Sequence, residues 1–294
     1  DMEPRVYRFN VGAIECLAVS DSTGPALRTT AVLRPDIPPA ELEQALREHR
    51  LDPQAIPIEF TSLVVKTPGR LLLADTGHGP RCEPGQGKLV EYLRAVGIEP
   101  EEVDTVVISH AHGDHIDGAL TPEGRPAFPR ARYVLGRPEW AACAGRTDPA
   151  IQYFRTLGDR LWLVDEGDEL APGVRVVAIP GHTPGQIAVE VTPALPLSPQ
   201  GGEGRLRGDA SPLLFVGDLL HFLIEADHPD WCTVWDQDPP LAAASRRRIL
   251  GRAAADGTLV MGSHFPWPSV GRVAPKGEGW EWRPIDRIDK MRAY

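Results

Sequence analysis

Apolar residues along this chain fall into two periods. Short runs bounded by glycine and proline have the length of β-strands, and a few longer stretches carry apolar positions at helical spacing. Residues 5–20 alternate loosely through Val6, Phe9, Val11, Ile14, Leu17 and Val19, which predicts an opening hairpin broken at Gly12. Runs at 60–66 and 70–74 flank Pro68-Gly69, a further hairpin signal. Strands are also predicted at 103–108, 132–135, 174–179, 186–192, 213–216 and 258–261. Helical spacing marks 39–50 (Leu42, Ala45, Leu46, His49), 88–96 (Leu89, Leu93, Val96, stopped by Gly97) and 138–144, which starts with proline. A long helix is predicted from the N-cap Asp238 and Pro239 to about residue 255. Leu241, Ser245, Ile249 and Ala253 form its inner face, and Arg246-Arg247-Arg248 lies mostly outside as a solvated run. Residues 21–39 and 193–212 are turn-rich and read as loops, the second containing Gly201-Gly202-Glu203-Gly204. The tail, with Trp267, Trp280 and Trp282, is expected to pack over the domain. Strand patterns resume after each loop, so residues 1–294 read as a single domain, with 21–50 a lip or a dimer contact.

Chemistry gathers where the predicted strands end. Directly after Val106-Val107-Ile108, the stretch His110-Ala111-His112-Gly113-Asp114-His115-Ile116-Asp117 places three histidines and two carboxylates in eight positions. A core has no use for that mixture, whereas imidazole and carboxylate are ordinary ligands of zinc and related metals. His110 and His112 are two apart, so an extended segment points both to one side. Four more strands end similarly, in Asp75, His182 (between Pro180-Gly181 and Pro184-Gly185), Asp218 and His264. Taken singly, each has a bland reading: a turn-capping aspartate or a loop histidine. Asp75 has a second option, accepting a hydrogen bond from a ligating histidine and so fixing its ring. His78 reads as a loop residue near the site, and His49 as a helix residue with no metal role.

Charge and composition narrow the classes. With 31 Lys and Arg against 41 Asp and Glu, the formal net charge is -10, which argues against nucleic acid as a partner. No apolar run is long enough for a membrane span. The N-terminus lacks a secretory layout, so a cytoplasmic location is the default expectation. Cys16, Cys82, Cys143 and Cys232 are widely spaced and read as buried hydrophobes or free thiols.

The elements His110-Ala-His112-Gly-Asp114-His115, Gly-His182-Thr-Pro-Gly, Asp218 and His264, with Asp75-Thr-Gly, make the chain resemble the metallo-β-lactamase superfamily. Composition and periodicity alone show only mixed α/β. The resemblance implies a four-layer αββα sandwich with the site along one edge of the sheets. It also implies two divalent metal ions, zinc first and manganese, iron or cobalt as alternatives. One ion would be held by His110, His112 and His182, the other by Asp114, His115 and His264, with Asp218 bridging both. Two ions about 3.5–4 Å apart can share a hydroxide that attacks a carbonyl or phosphoryl centre. Asp114 is then a candidate proton shuttle.

Within the superfamily the likeness is to the group containing quorum-quenching lactonases and methyl parathion hydrolase. It rests on Gly217-Asp218-Leu-Leu-His221 and Ser263-His264-Phe265-Pro266-Trp267-Pro268. Many lactonases of that group carry a tyrosine three residues after the bridging aspartate, where this chain has His221. His221 either donates to the developing oxyanion or packs behind the site. The implied enzyme is a metal-dependent hydrolase of lactones, esters or phosphotriesters. A glyoxalase II-like thioester hydrolase and an iron-dependent sulfur-oxidising relative are the alternatives. Phe222, Trp231, Trp235, Phe265 and Trp267 suggest an apolar pocket for an acyl or aryl small-molecule substrate.

Overall fold

Strands pair into two seven-stranded sheets, each in chain order. The first holds β1 (Val6–Val11), β2 (Ile14–Thr23), β3 (Glu59–Thr67), β4 (Arg70–Ala74), β5 (Thr105–Val107), β6 (Arg132–Gly136) and β7 (Leu161–Val164). The second holds β8 (Glu169–Ala171), β9 (Val174–Ala178), β10 (Ile187–Val191), β11 (Leu213–Phe215), β12 (Leu259–Met261), β13 (Val270–Lys276) and β14 (Gly279–Pro284). Helices of the described residues are α1 (Pro39–Glu48), α2 (Leu89–Ala95), α3 (Gly113–Ile116), α4 (Arg137–Ala142), α5 (Pro149–Arg155), α6 (Ile224–Asp227) and α7 (Pro239–Asp256). This computed structural model describes residues 4–24, 32–33, 37–79, 86–193 and 211–285. Most of the glycine-rich loop predicted at 193–212, and Cys82, lie outside them.

The central strands carry apolar residues on both faces because both faces are buried. Leu63, Val65, Leu72 and Ala74 point into the core between the sheets, where they meet Val189, Leu213, Phe215 and Met261. Their neighbours Val64 and Leu73 point the other way, onto Leu89 and Leu93 of α2. In the second sheet Leu214 and Val260 face Ile249, Leu250 and Ala253 of α7. Helices on the outside and two sheets within give the expected αββα order.

Strand direction then decides where the polar turns fall. β4 and β5 run parallel, as do β11 and β12. β9 and β11 are each antiparallel to β10, so β9 shares the direction of β11 and β12. Parallel neighbours need a crossover, and their C-terminal ends come out together. Asp75 and the His110 turn therefore leave one sheet at one edge, and His182, Asp218 and His264 leave the other at one edge. The two edges are stitched: Ile187 N donates to Ser109 O at 2.9 Å, and Thr61 N donates to Ser263 O at 3.0 Å. A polar site at strand C-termini follows from this topology.

Several expectations are corrected. The turn-rich residues 21–23 continue β2 instead of forming a surface loop. Asp21 is wholly buried there, accepting from the backbone N–H of His78 (3.1 Å) and of Leu89 (3.2 Å). Ser245, Ile249 and Ala253 form the inner face of α7 as expected, but Leu241 is exposed, and Arg246, expected in solvent, is completely buried against Glu225. The tail beyond His264 builds β13 and β14, burying Trp282. Cys16, Cys143 and Cys232 are buried free thiols, as expected.

Candidate metal centre

β5 is followed by Ile108 and Ser109, and the chain turns through His110 and His112 into the short helix α3, which carries Asp114 and His115. Two sets of nitrogen and oxygen atoms converge there. His110 Nε2 and His182 Nε2 each lie 3.0 Å from His112 Nδ1, and 3.7 and 3.5 Å from Asp218 Oδ2. In the second set, His115 Nε2 is 3.3 Å from Asp114 Oδ2 and 3.1 Å from Asp218 Oδ1. His264 Nε2 is 3.5 Å from Asp114 Oδ2 and 3.0 Å from Asp218 Oδ2. Asp218 belongs to both sets, so all seven residues singled out in the sequence meet in one place.

These separations suit a metal better than hydrogen bonding. Ligand atoms about 2.0–2.1 Å from a tetrahedral zinc ion lie roughly 3.3–3.4 Å from one another. Protons cannot satisfy the same atoms: His115 Nε2 and Asp218 Oδ1 are buried with no hydrogen-bond partner. Such orphans are costly unless something else is bound.

Electrostatics point the same way. Burial, reinforced by His115, pushes His110 well below the usual imidazole range, and burial with His182 brings His112 down to about 4. Both are thus neutral ligands at pH 7, the form a metal requires. Burial would lower His115 as well, but Asp218, Asp114 and Asp75 together hold it well above its ordinary value. Burial would raise the Asp114 and Asp218 carboxyls, yet His115 and His264 keep both below the carboxylate range. The negative charge collected around His115 is charge that a cation would neutralise.

Most rings are held from behind. Ser109 Oγ lies 3.1 Å from His110 Nδ1, Asp75 Oδ2 accepts from His115 Nδ1 at 2.8 Å, and Asp236 Oδ1 accepts from His182 Nδ1 at 3.1 Å. His264 Nδ1 donates to the Glu59 carbonyl at 2.8 Å. Such contacts fix tautomer and ring orientation. Asp75 was legible from its place at a strand end, whereas Asp236 and the Glu59 carbonyl carried no sequence signal. Glu139 of α4, also unforeseen, is buried and accepts from Ala111 N (2.8 Å), Thr183 Oγ1 (2.7 Å) and Gly185 N (3.1 Å). It ties the loop of His110 and His112 to the loop of His182.

A cavity of about 460 Å³ opens over the cluster, walled by Ile58, Phe60, His78, Gln86 and Trp235 and floored by His112, Asp114, His182, Asp218 and His264. His221 is on the wall, its ring 4.9 Å from Trp235 and its Nε2 3.4 Å from Asp218 Oδ2. Neither of its ring nitrogens has a hydrogen-bond partner. Burial opposes a charge on His221, but Asp218 and Glu225 raise it to about 10. Of the five aromatics expected in the pocket, only Trp235 lines it. Phe222 packs with Leu33 and Leu46, Phe265 lies in the core against Trp282 at 5.2 Å, Trp231 stacks on His228 at 3.9 Å, and Trp267 sits under the Arg5 guanidinium at 4.8 Å. Nearness in sequence misjudged four of them, because their strand-end segments turn back into the fold. No described lysine or arginine lines the cavity.

Comparison with known proteins agrees with this geometry. Residues 60–194 match the family model of the metallo-beta-lactamase superfamily. An N-acyl homoserine lactonase of a Bacillus species is 32% identical over 103 residues, which is 34% of this chain and 37% of that protein. The N-acyl homoserine lactonase AiiB of Agrobacterium fabrum is 27% identical over 176 residues, covering 46% of this chain and 59% of that one. The aligned stretches thus span well under two thirds of these relatives. Among solved structures, AidC, a dizinc quorum-quenching lactonase, superposes with a TM-score of 0.81 at 26% identity over 97% of this chain and 98% of its own. The hydrolase AbOPH does so with a TM-score of 0.82 at 22% identity over 97% and 99%, which shows the shared fold. Residues 60–194 thus resemble the metallo-β-lactamase superfamily, and the chain has the metallo-β-lactamase fold, with the strand-end cluster at the edge where the two sheets meet.

Proposed function

We propose that this chain is a dinuclear metal-dependent hydrolase that opens N-acyl homoserine lactones or closely related lactones and esters. The observation that carries the proposal is the pair of ligand sets sharing Asp218 on the floor of an open cavity that no described lysine or arginine lines. His110, His112 and His182 would hold one ion, and Asp114, His115 and His264 the other, with Asp218 common to both. Zinc is the first candidate, supported by the dizinc neighbour. Two divalent ions supply Lewis acidity and a water ionised near neutral pH.

The chain's own residues do the rest. Ile58, Phe60 and Trp235 take up the acyl or aryl part of a neutral substrate and exclude water beside the reacting carbonyl. His221 presents its Nε2 to the substrate oxygen from the cavity wall, in the direction of Asp218. Asp114, the more exposed of the two cluster carboxylates in the second set, takes a proton at its carboxylate and passes it to the leaving oxygen. In sum, the oxygen of a water adds to the carbonyl carbon, the ring C–O bond breaks, and a hydroxy acid leaves. α1 packs through Ala45 and Leu46 onto Phe222 and Ile224, next to His221, which favours a lip over a dimer contact as the role of residues 37–50 within the 21–50 segment.

The test is a hydrolysis panel on metal-quantified protein, with acyl homoserine lactones, aryl esters, phosphotriesters and thioesters in parallel. Close to two ions per chain and preferential lactone turnover are expected. Removing one member of a preorganised site costs about 10²-fold or more, so His112→Ala and Asp218→Ala should lose at least that in kcat/KM. Protein carrying two ions per chain yet inert on all four classes would refute the proposal.

A further inference from the structure

Helix α7 sends a guanidinium to the back of the site. Arg246 is completely buried. Its Nε donates to the Leu219 carbonyl at 3.0 Å, and its Nη1 to those of Pro229 at 2.9 Å and Trp231 at 2.7 Å. Nη2 donates to Glu225 Oε1 at 2.9 Å and lies 3.7 Å from Asp236 Oδ2. Both carboxylates lead onward to a histidine of the site. Asp236 accepts from Thr233 N through Oδ2 (3.0 Å) and from His182 Nδ1 through Oδ1 (3.1 Å). Glu225 Oε2 accepts the backbone N–H groups of His221 (2.7 Å) and Phe222 (2.9 Å). His182, His221 and Asp236 also converge closely enough to resemble a further ligand set. Asp236 is already engaged by His182 and faces Arg246, so its part there is to orient the ring.

Burying a guanidinium with two carboxylates is costly, and well-packed apolar side chains would stabilise a fold at least as well. What the arrangement provides instead is position. We infer that Arg246 is a positioning residue: it fixes Asp236 and Glu225, and through them the ring of His182 and the turn carrying His221. An arginine suits the task because its planar fork of five donors reaches three carbonyls and a carboxylate in different directions at once. Lysine offers three donors from a single point. The inference rests on the metal-binding reading of the site.

Zinc affinity measured by competition with a chromophoric chelator, alongside thermal unfolding, tests it. Loss of an orienting partner behind a ligating histidine typically costs about 10- to 100-fold in metal affinity. Arg246→Lys should therefore hold one of its two zinc ions about 10- to 100-fold more weakly than wild type, as should Asp236→Asn. Because the two side chains act along one path, the double variant should bind no more weakly than the worse single one. A lysine variant that melts earlier but binds both ions like wild type overturns the inference, and so do additive losses in the double variant. If Arg246→Lys fails to fold, Arg246→Gln on a Glu225→Gln background replaces it, with the same two outcomes. Wild-type protein that takes up no zinc would remove the metal reading itself, a result distinct from a variant that merely matches wild type.

Discussion

Asp75 sits at φ +62°, a left-handed conformation that costs a residue with a side chain roughly 1–2 kcal/mol unless local hydrogen bonds compensate. Three bonds hold it there: from Ser109 N (2.7 Å), Ser109 Oγ (2.8 Å) and His115 Nδ1 (2.8 Å). The strain and the orientation of His115 can be separated by substitution. Asn tolerates the left-handed region but presents an N–H group where the carboxylate accepted, so Asp75→Asn should destabilise the metal-free protein in chemical denaturation only by the cost of a buried unsatisfied group, about 1–3 kcal/mol, with no backbone strain added. Its affinity for one metal ion should fall about 10- to 100-fold. Asp75→Ala should show the same loss of affinity and, in addition, about 1–2 kcal/mol of destabilisation. Wild-type affinity in Asp75→Asn would show that His115 does not depend on this carboxylate. Asp75 and the seven cluster residues were legible in the sequence because acidic and imidazole side chains at the ends of apolar runs have no place in a core. Asp236 and Glu139 were not, since each acts on a segment far away in the chain, and Glu225 was not, since the arginine that fixes it lies 21 residues on; locally all three look like any surface acid.

Elements were legible in proportion to how much of their burial comes from their own pattern. β3, β4 and β9 to β12 stand out because each carries at least three consecutive apolar residues between turn signals. β8 does not: it is short and lies at the end of its sheet, where pairing and not pattern makes the strand, whereas β7, Leu161–Val164, is apolar throughout and was not predicted. β13 contains Gly271 and Pro275, and Gly271 packs so closely on β14 that a Cβ there would lie 2.2 Å from the Arg283 carbonyl. The same logic hid the role of α4, though not the helix itself. Its short sequence predicts a helix, but nothing in it predicts that Glu139 clamps two loops together from opposite sheets. Glu139→Gln keeps the shape and turns one acceptor oxygen into a donor facing Thr183 and Gly185, leaving a buried group unsatisfied at about 1–3 kcal/mol. Urea unfolding should report that loss, and zinc competition should show weaker binding at the set formed by His110, His112 and His182. Equal stability and affinity in the glutamine variant would mean the loops hold their spacing without it.

Across the whole molecule the cluster draws His110, His112, Asp114 and His115 from one sheet and His182, Asp218 and His264 from the other. Bound metal would thus join the sheets at one edge, while the core between them is apolar and independent of it. Metal-free protein should accordingly stay folded, unlike a domain whose metal is its core. Free zinc at 100 times its Kd should add about 2.7 kcal/mol per site, worth roughly 4–5 °C in Tm for each site. Without metal, the histidines make stability depend on pH in two opposing ways. His115 and His221 have raised values in the fold, the latter to about 10. Their contribution is complete below the unfolded imidazole value near 6.5 and is lost as pH climbs toward 10. His110 and His112 are depressed, the latter to about 4, so the unfolded chain binds more protons between about 4 and 6.5 and stability rises with pH across that window. Chelated protein should therefore be most stable near pH 6.5 and lose Tm on both sides. The gain from zinc should widen toward alkaline pH, where the imidazolium of His115 no longer offsets its three carboxylates. A Tm of the chelated protein that rose steadily from pH 6.5 to 9, or a far-ultraviolet spectrum of an unfolded chain after chelation, would contradict this account of what holds the edge together.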